Sequence, residues 1–512
     1  MSAGPSPGLR PVMGARRATD IATRKPLRIQ PVLAYGIHGP EQYRDATSWR
    51  PWGGLFTERH LDEEKQRIRT ELEQLKSSVD FPLELLPLEA VDNSAADRAR
   101  ALAESDHDGM LIYGQGGHTG LLDALAAPEK WNLMFVRHRT GPAYLWYEIA
   151  HPHFLRRASD EYQYPGGMTV NDIVVDDYDD VAWRLRALCG LKNMMGARIV
   201  AIGGAMGWGA GGQNAPALAR EQWGLQIIEI PYDELGTRIE AAMADDALQS
   251  RAAEAASAYL ASAGVTLYGR QDAMTTEELM RRQPGDVSET RGFVERAFVL
   301  TEVFRDLMHE HDATAITVGE CMTTIIPMTQ TTACMTLTVL NDEGYLAFCE
   351  SDFVVIPSGM LLHGIAGKPV FLCNPTWPHH DVVTVAHCSA PRRMDGANEE
   401  PVKIRTHFES DYGAAPKVEM RAGQELTVIA PDFASERWLG FRGVIAENPY
   451  LDICTTQVDL TIDGDAAELV REMRGFHWMT CYDDYRKELG YALNKAGINW
   501  LDVTDARESR VT

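Results

Sequence analysis

The sequence predicts an α/β protein with two Rossmann-like domains on parallel sheets, followed by a β-rich, barrel-like carboxyl-terminal domain. Three observations predict it. Short apolar runs alternate with helical patterns from residue 29 onward and restart near residue 195, the rhythm that yields parallel sheets with helices on both faces. After about residue 345 strand-like segments separated by Gly and Pro dominate. A chain of 512 residues is too long for one ordinary core, and length alone suggests roughly three domains. The expected divisions are a tail over 1–28, then domains over 29–194, 195–345 and 346–512.

Residues 1–28 carry Arg10, Arg16, Arg17, Arg24, Lys25 and Arg28 against the single acid Asp20, with no apolar stretch of a secretory signal. They read as a mobile tail, or as a docking arm for a neighbouring subunit. Ile29–Tyr35 reads as a strand. Glu58–Lys76 reads as a charged helix with apolar positions at Ile68, Leu72 and Leu75. Leu83–Leu86 is a strand, Ala95–Ala103 a helix, and Gly109–Tyr113 and Trp131–Val136 are strands. Ligands of such sheets bind beyond the carboxyl ends of strands. The string Gly-Gln-Gly-Gly-His at 114–118 follows one such end, which makes Gln115 and His118 candidate substrate-binding residues; an ordinary glycine turn is the competing reading. The string is not GxGxxG, so no nucleotide is implied.

Tyr178–Leu191 predicts a helix, Ala197–Gly203 and Ile227–Pro231 strands, and Asp233–Ala244 a helix. Gly204–Gly212 is a glycine-rich loop beside a candidate ligand region. Arg291–Glu310 is a long helix with Phe293, Ala297, Leu300 and Phe304 on one face. Beyond 345 the expected strands are Val370–Cys373, Val382–Ala386, Lys403–His407, Lys417–Met420, Glu425–Ala430 and Gln457–Ile462. One helix, Asp483–Ala496, and a strand, Asn499–Val503, close the chain.

Composition narrows the function classes. With 45% hydrophobic and 24% charged residues the chain is globular. A formal net charge of −24 repels nucleic acid. No apolar run approaches the ~18 residues that span a membrane. The eight cysteines form no CxxC pair, so free buried thiols and a cytoplasmic setting are expected. The absence of GxxxxGK[ST] and GxSxG patterns disfavours phosphate-loop NTPases and serine hydrolases of the α/β type.

The acids that could carry chemistry sit in two strings. Glu320 follows the apolar strand Ala313–Val318. Glu350 and Asp352 follow the apolar run Tyr345–Cys349. A carboxylate in apolar surroundings is costly unless paired or metal-bound. His477, on a short apolar strand before the last helix, and His387, in Val-Ala-His-Cys, are the imidazoles nearest this pattern, with His379 and His380 in a loop. Solvated loop acids and structural histidines are the plainer reading. An oxygen-rich set with one imidazole suits Mn²⁺, Mg²⁺ or Co²⁺ better than a thiolate zinc site.

At these strings the sequence resembles the L-fucose isomerase and L-arabinose isomerase superfamily. Glu350-Ser351-Asp352, Gly359-Met360-Leu361-Leu362 and Ala366-Gly367-Lys368-Pro369 are similar to its acid–x–Asp string and following helix. His387-Cys388, Cys454-Thr455-Thr456-Gln457-Val458, and Phe476-His477 with Tyr482-Asp483-Asp484 and Glu488-Leu489 resemble later motifs in the same order. Upstream, Trp183-Arg184-Leu185 to Gly203 is similar to a domain junction. The resemblance spans roughly 29–505 and is weakest in the first third. It implies an aldose–ketose isomerase of a small sugar, using Mn²⁺ in a cytoplasmic homotrimer or homohexamer. By motif position Glu320 and Asp352 would be metal ligands and bases, and His477 the third ligand, with Glu350 and His387 near the substrate. A metal-dependent epimerase or lyase of a sugar derivative, and a catalytically silent sugar-binding subunit, are the alternatives. Phe353-Val354-Val355-Ile356-Pro357 departs from the family's small or polar residues, which points to an atypical sugar or to lost isomerase activity.

Overall fold

The computed structural model describes residues 24–37, 54–159, 168–268, 287–462, 464 and 466–503, with the short strands Glu41–Gln42 and Ser48–Trp49. The expected tail lies outside the described residues as far as Thr23. Its boundary at 28 is corrected: Leu27 and Arg28 already belong to the strand Leu27–Tyr35. Leu27 is fully buried and pairs with Leu83, while Arg28 turns outward to Glu84. The strand therefore starts two residues earlier than expected.

Two compact units are present, Arg24–Asn193 and a second that begins at Met194. In the first, a parallel sheet runs Leu83–Leu85, Leu27–Tyr35, Gly109–Gly114, Trp131–Val136, Ile173–Val175, and Glu89–Asp92 also pairs with Leu27–Tyr35. The helix Glu58–Ser78 starts at the cap Thr57, whose hydroxyl accepts from His60 N at 3.3 Å. It buries Leu61, Ile68, Leu72 and Leu75, each worth roughly 1.5–3 kcal/mol over exposure. Its buried Glu64 meets Arg137 Nε at 2.6 Å.

In the second unit a parallel sheet runs Gln226–Ile230, Arg198–Ile202, Ala315–Val318, Leu346–Cys349. The long helix Val287–Glu310 buries the expected Phe293, Ala297, Leu300 and Phe304. The anticipated break at 345/346 falls just before Leu346–Cys349, which is an edge strand of this sheet. The antiparallel region begins at Phe371. There Glu425–Ala430, Trp478–Tyr482, Phe371–Pro375, Val382–His387, Thr456–Ile462 and Arg437–Glu447 pair in turn, and the last returns to the first. This is a closed six-stranded antiparallel barrel, which leaves no open edge. Phe371, Val385, Val428, Phe441 and Trp478 are buried in its core.

The barrel strand Arg437–Glu447 contains Gly440 and Gly443, which interrupt any β pattern in the sequence. A Cβ on Gly440 would lie 2.0 Å from the Trp500 ring, so the glycine admits that indole. The last helix spans Arg486–Lys495 rather than Asp483–Ala496. Asp483 is left-handed (φ 72°) and its N donates to Glu425 O at 2.9 Å, which holds it against the barrel. It is also preceded by a further short helix, Ala466–Glu472. Lys403–His407 shortens to the strand Val402–Arg405, leaving His407 in the following loop. No helix among the described residues is long and apolar enough to cross a membrane.

Candidate active site

Three parallel strands of the second unit end side by side, with Ile202, Val318 and Cys349 in register. Their carboxyl ends carry the loop from Gly203, the pair Gly319-Glu320 and the string Glu350-Ser351-Asp352. This is the edge where ligands of parallel sheets bind. The backbone there is strained: Glu320 (φ 42°), Glu350 (φ 63°) and Ser351 (φ 47°) are all left-handed. Non-glycine residues hold that conformation at about 1–3 kcal/mol each, and such outliers cluster at functional sites.

The glycine-rich loop secures this string. Met206 N donates to Ser351 O at 3.2 Å and Phe353 N to Met206 O at 2.8 Å. Trp208 N donates to Asp352 Oδ1 at 3.1 Å, and the Trp208 indole N–H donates to Glu350 O at 3.1 Å. Gly207 is required for this path, because a Cβ there would lie 2.1 Å from Gly212 O. The run Phe353-Val354-Val355-Ile356 is buried. Phe353, Val354 and Pro357 line a small pocket with Trp223 and Phe433, and Pro357 sits in the first turn of the helix Ile356–Ala366, where proline is tolerated.

The barrel supplies the imidazoles. His477 precedes Trp478–Tyr482 and His387 ends Val382–His387. Both strands pair with Phe371–Pro375, and the two rings stand 5.8 Å apart. His477 Nδ1 is 2.7 Å from Asp352 Oδ2. His477 Nε2 faces Glu350 Oε2 at 3.4 Å, and His387 Nε2 faces Glu350 Oε1 at 3.3 Å. The Glu350 carboxylate thus spans two imidazoles. Burial alone would raise the Glu350 pKa, but His387 and His477 outweigh it and hold the carboxyl well below its usual range. Burial alone would lower His477, but Asp352 and Glu350 outweigh it and raise its pKa.

The donor set fits a divalent cation. His477 Nε2 is buried without a hydrogen bond, while the carboxylate on Nδ1 orients the ring, as at histidine ligands generally. Buried Cys, His and Glu groups could hold a metal ion: Cys349, Glu350 and His387 offer ligand atoms within 4.8 Å of one another, and so do Cys334, Cys388 and His407.

Of the expected ligand trio, the fold joins Asp352 to His477. Glu320 lies on the same sheet edge but is exposed, its carboxylate accepting from Thr324 Oγ1 at 3.3 Å. It belongs to no such group of three ligand atoms among the described residues. Glu350 and His387, expected near the substrate, lie against the His477 pair. Gln115 and His118 belong to the unit Arg24–Asn193 and have structural partners there. Gln115 is buried, its Oε1 accepting from Gly36 N at 3.1 Å. His118 caps the helix Thr119–Leu125, its Nδ1 accepting from Leu121 N at 3.2 Å.

Sequence reasoning missed two features. Trp208 is 39% exposed and stacks on Phe476, 46% exposed, at 4.9 Å beside the carboxylates. Cys334, Cys388 and Cys454 also lie together, and all eight cysteines are free. Hydrogen bonds from Cys334 and Cys454, with the charge of His407, pull the Cys388 thiol well below its usual pKa. Cys388 in turn raises His407 to about 9 against the effect of burial. The available signal was adjacency: Cys321 follows Glu320, Cys349 precedes Glu350 and Cys388 follows His387. Neither protein-family models nor curated proteins give a match to this chain.

Proposed function

We propose that the chain is a metal-dependent ketol isomerase that interconverts the aldose and ketose forms of a small sugar such as L-fucose, D-arabinose or L-arabinose. The observation that supports this reading most is the buried His477 flanked by Asp352 on one ring nitrogen and Glu350 on the other. That cluster joins the carboxyl end of the parallel strand Leu346–Cys349 to the start of the barrel strand Trp478–Tyr482, with two carboxylates and an imidazole in place.

His477, through Nε2, and Glu350 would hold the ion, Mn²⁺ by this reading, with Mg²⁺ or Co²⁺ as chemically similar choices. Such an ion, when bound, polarises a carbonyl and acidifies the C–H beside it. Asp352 fixes the His477 ring through Nδ1. Glu320, exposed at the end of the neighbouring strand, takes the proton from the carbon next to the sugar carbonyl and returns it to the adjacent carbon through an enediol. The stacked Trp208 and Phe476 present apolar ring surface to the less polar side of the sugar. A cytoplasmic homotrimer or homohexamer belongs to the same reading.

The test is turnover by metal-depleted chain resupplied with Mn²⁺, Mg²⁺ or Co²⁺ on a panel of aldoses, ketoses and sugar acids in deuterated water. The expected result is metal-dependent aldose–ketose interconversion with solvent deuterium entering one carbon, abolished in Glu320→Gln. A product inverted at one centre, or a shorter chain with a new double bond, would replace isomerase by epimerase or lyase. Sugar binding without turnover would mark a silent binding subunit.

A further inference from the structure

Behind the acid–imidazole cluster lies a second group that the proposed isomerase does not use. Cys334 opens the helix Cys334–Asp342. Cys388 immediately follows the strand Val382–His387. His407 lies in the loop after Val402–Arg405, and Cys454 lies just before Thr456–Ile462. Chain segments far apart in sequence thus deliver soft donors to one place.

Ligand atoms of Cys334, Cys388 and His407 all lie within 4.8 Å of one another, and all three residues are buried. The partly buried Cys454 packs against the small cluster of Cys334, Cys388 and Ala415, outside the group of three whose ligand atoms lie within 4.8 Å of one another. His407 Nδ1 lies 3.2 Å from the Ser410 hydroxyl and accepts from Ser410 N at 3.4 Å, contacts that hold the ring in place. A single buried cysteine is an ordinary small apolar residue. Three thiols and an oriented imidazole are instead the Cys₃His set of a closed tetrahedral site. Thiolates select d¹⁰ ions over the hard cations that suit carboxylates.

We propose that Cys334, Cys388, Cys454 and His407 form a second metal site, for a thiophilic d¹⁰ cation, Zn²⁺ or Cu⁺. The ion clamps helix, barrel strand end and loops together. Because Cys388 adjoins His387, the clamp also steadies the imidazole that faces Glu350.

The full chain tests this after chelation and reduction. One arm titrates it with Co²⁺ and displaces the cobalt with Zn²⁺. A second arm adds Cu⁺ without oxygen against a chromogenic competitor. The expected result is one thiolate-bound ion per chain beside any cobalt held at the carboxylate site, with a near-ultraviolet thiolate-to-cobalt band in the first arm and sulfur neighbours at about 2.3 Å by X-ray absorption of the zinc form. Cys388→Ser should lose the band and weaken Zn²⁺ binding at least tenfold, whereas Glu350→Gln and Asp352→Asn should keep both. Should Cys388→Ser fail to fold, the sulfur shell in the unaltered chain decides. A folded, reduced chain that takes up neither ion with sulfur ligation, or a band that survives in folded Cys388→Ser, overturns the proposal. Turnover is not the readout, so this site stands or falls apart from the isomerase reading.

Discussion

His477 Nδ1 lies 2.7 Å from Asp352 Oδ2, although the two residues come from different sheets. Asp352 follows a strand of the parallel sheet and His477 leads into the barrel. Both are buried, so the contact ties the two layers at the candidate site. Asp352→Asn keeps the shape and removes the charge. It is expected to weaken Mn²⁺ binding about 10–100-fold, the usual effect of losing a carboxylate that orients a histidine ligand. Calorimetric titration of metal-depleted protein measures this, and unchanged affinity would remove Asp352 from the site.

The same pair sets a pH dependence for the metal-free chain. Burial disfavours a charged His477, but Asp352 and Glu350 raise its pKa. The stability it contributes is fully present below the unfolded value of about 6.5 and is lost as pH rises through the folded pKa. Glu350 has a lowered pKa, burial being outweighed by His387 and His477. Its contribution is present above about pH 4.3 and is lost only as pH falls through that depressed value. The pair therefore supports the fold best between about pH 4.3 and 6.5. Melting temperatures of the chelated protein from pH 5 to 9 should fall further above neutrality than those of His477→Gln; parallel curves would contradict the coupling.

Trp208→Ala removes the stack on Phe476 at 4.9 Å and the indole hydrogen bond to Glu350 O. An aromatic pair of this kind is worth about 0.5–1.5 kcal/mol. The variant should raise KM for the sugar several-fold and leave its Mn²⁺ affinity within a factor of about three. A KM equal to that of the unaltered chain would show that the platform does not meet the substrate.

In the unit Arg24–Asn193, Arg137 and Glu64 are both fully buried and meet at 2.6 Å. Glu71 takes the other side of the guanidinium at 2.6 Å. Arg137→Leu removes the buried cation that both carboxylates share, leaving Glu64 to Arg67 and Tyr144 and Glu71 to Tyr178, and should cost up to about 3–5 kcal/mol. Urea unfolding followed by tryptophan fluorescence reads the loss, and adding Glu64→Gln should restore part of it. A double variant no more stable than the single one would argue against charge burial as the cause.

Elements with a regular period were readable from the chain. The strand Trp131–Val136 and the strand Glu425–Ala430 occur where the residues predict them. The helix face of Phe293, Ala297, Leu300 and Phe304 is buried as its spacing requires. Helices without a polar side have no periodic signal, and the second of the two that follow is expected only from the resemblance. Cys334–Asp342 buries all but its last residue, and Ile356–Ala366 buries all but His363. A helix buried all round shows no stripe.

At the site, the residues alone determined which groups carry chemistry: the acids Glu320, Glu350 and Asp352 and the imidazoles His387 and His477, each at an apolar strand's end. Only the tertiary structure decided their company. It set Asp352 and Glu350 on opposite nitrogens of His477, left Glu320 exposed, and gathered Cys334, Cys388, Cys454 and His407 from separate segments. Periodicity reports which side of an element is buried, because burial acts residue by residue along the chain. Convergence depends on strand register and barrel closure, which are pairings between distant segments and leave no local trace.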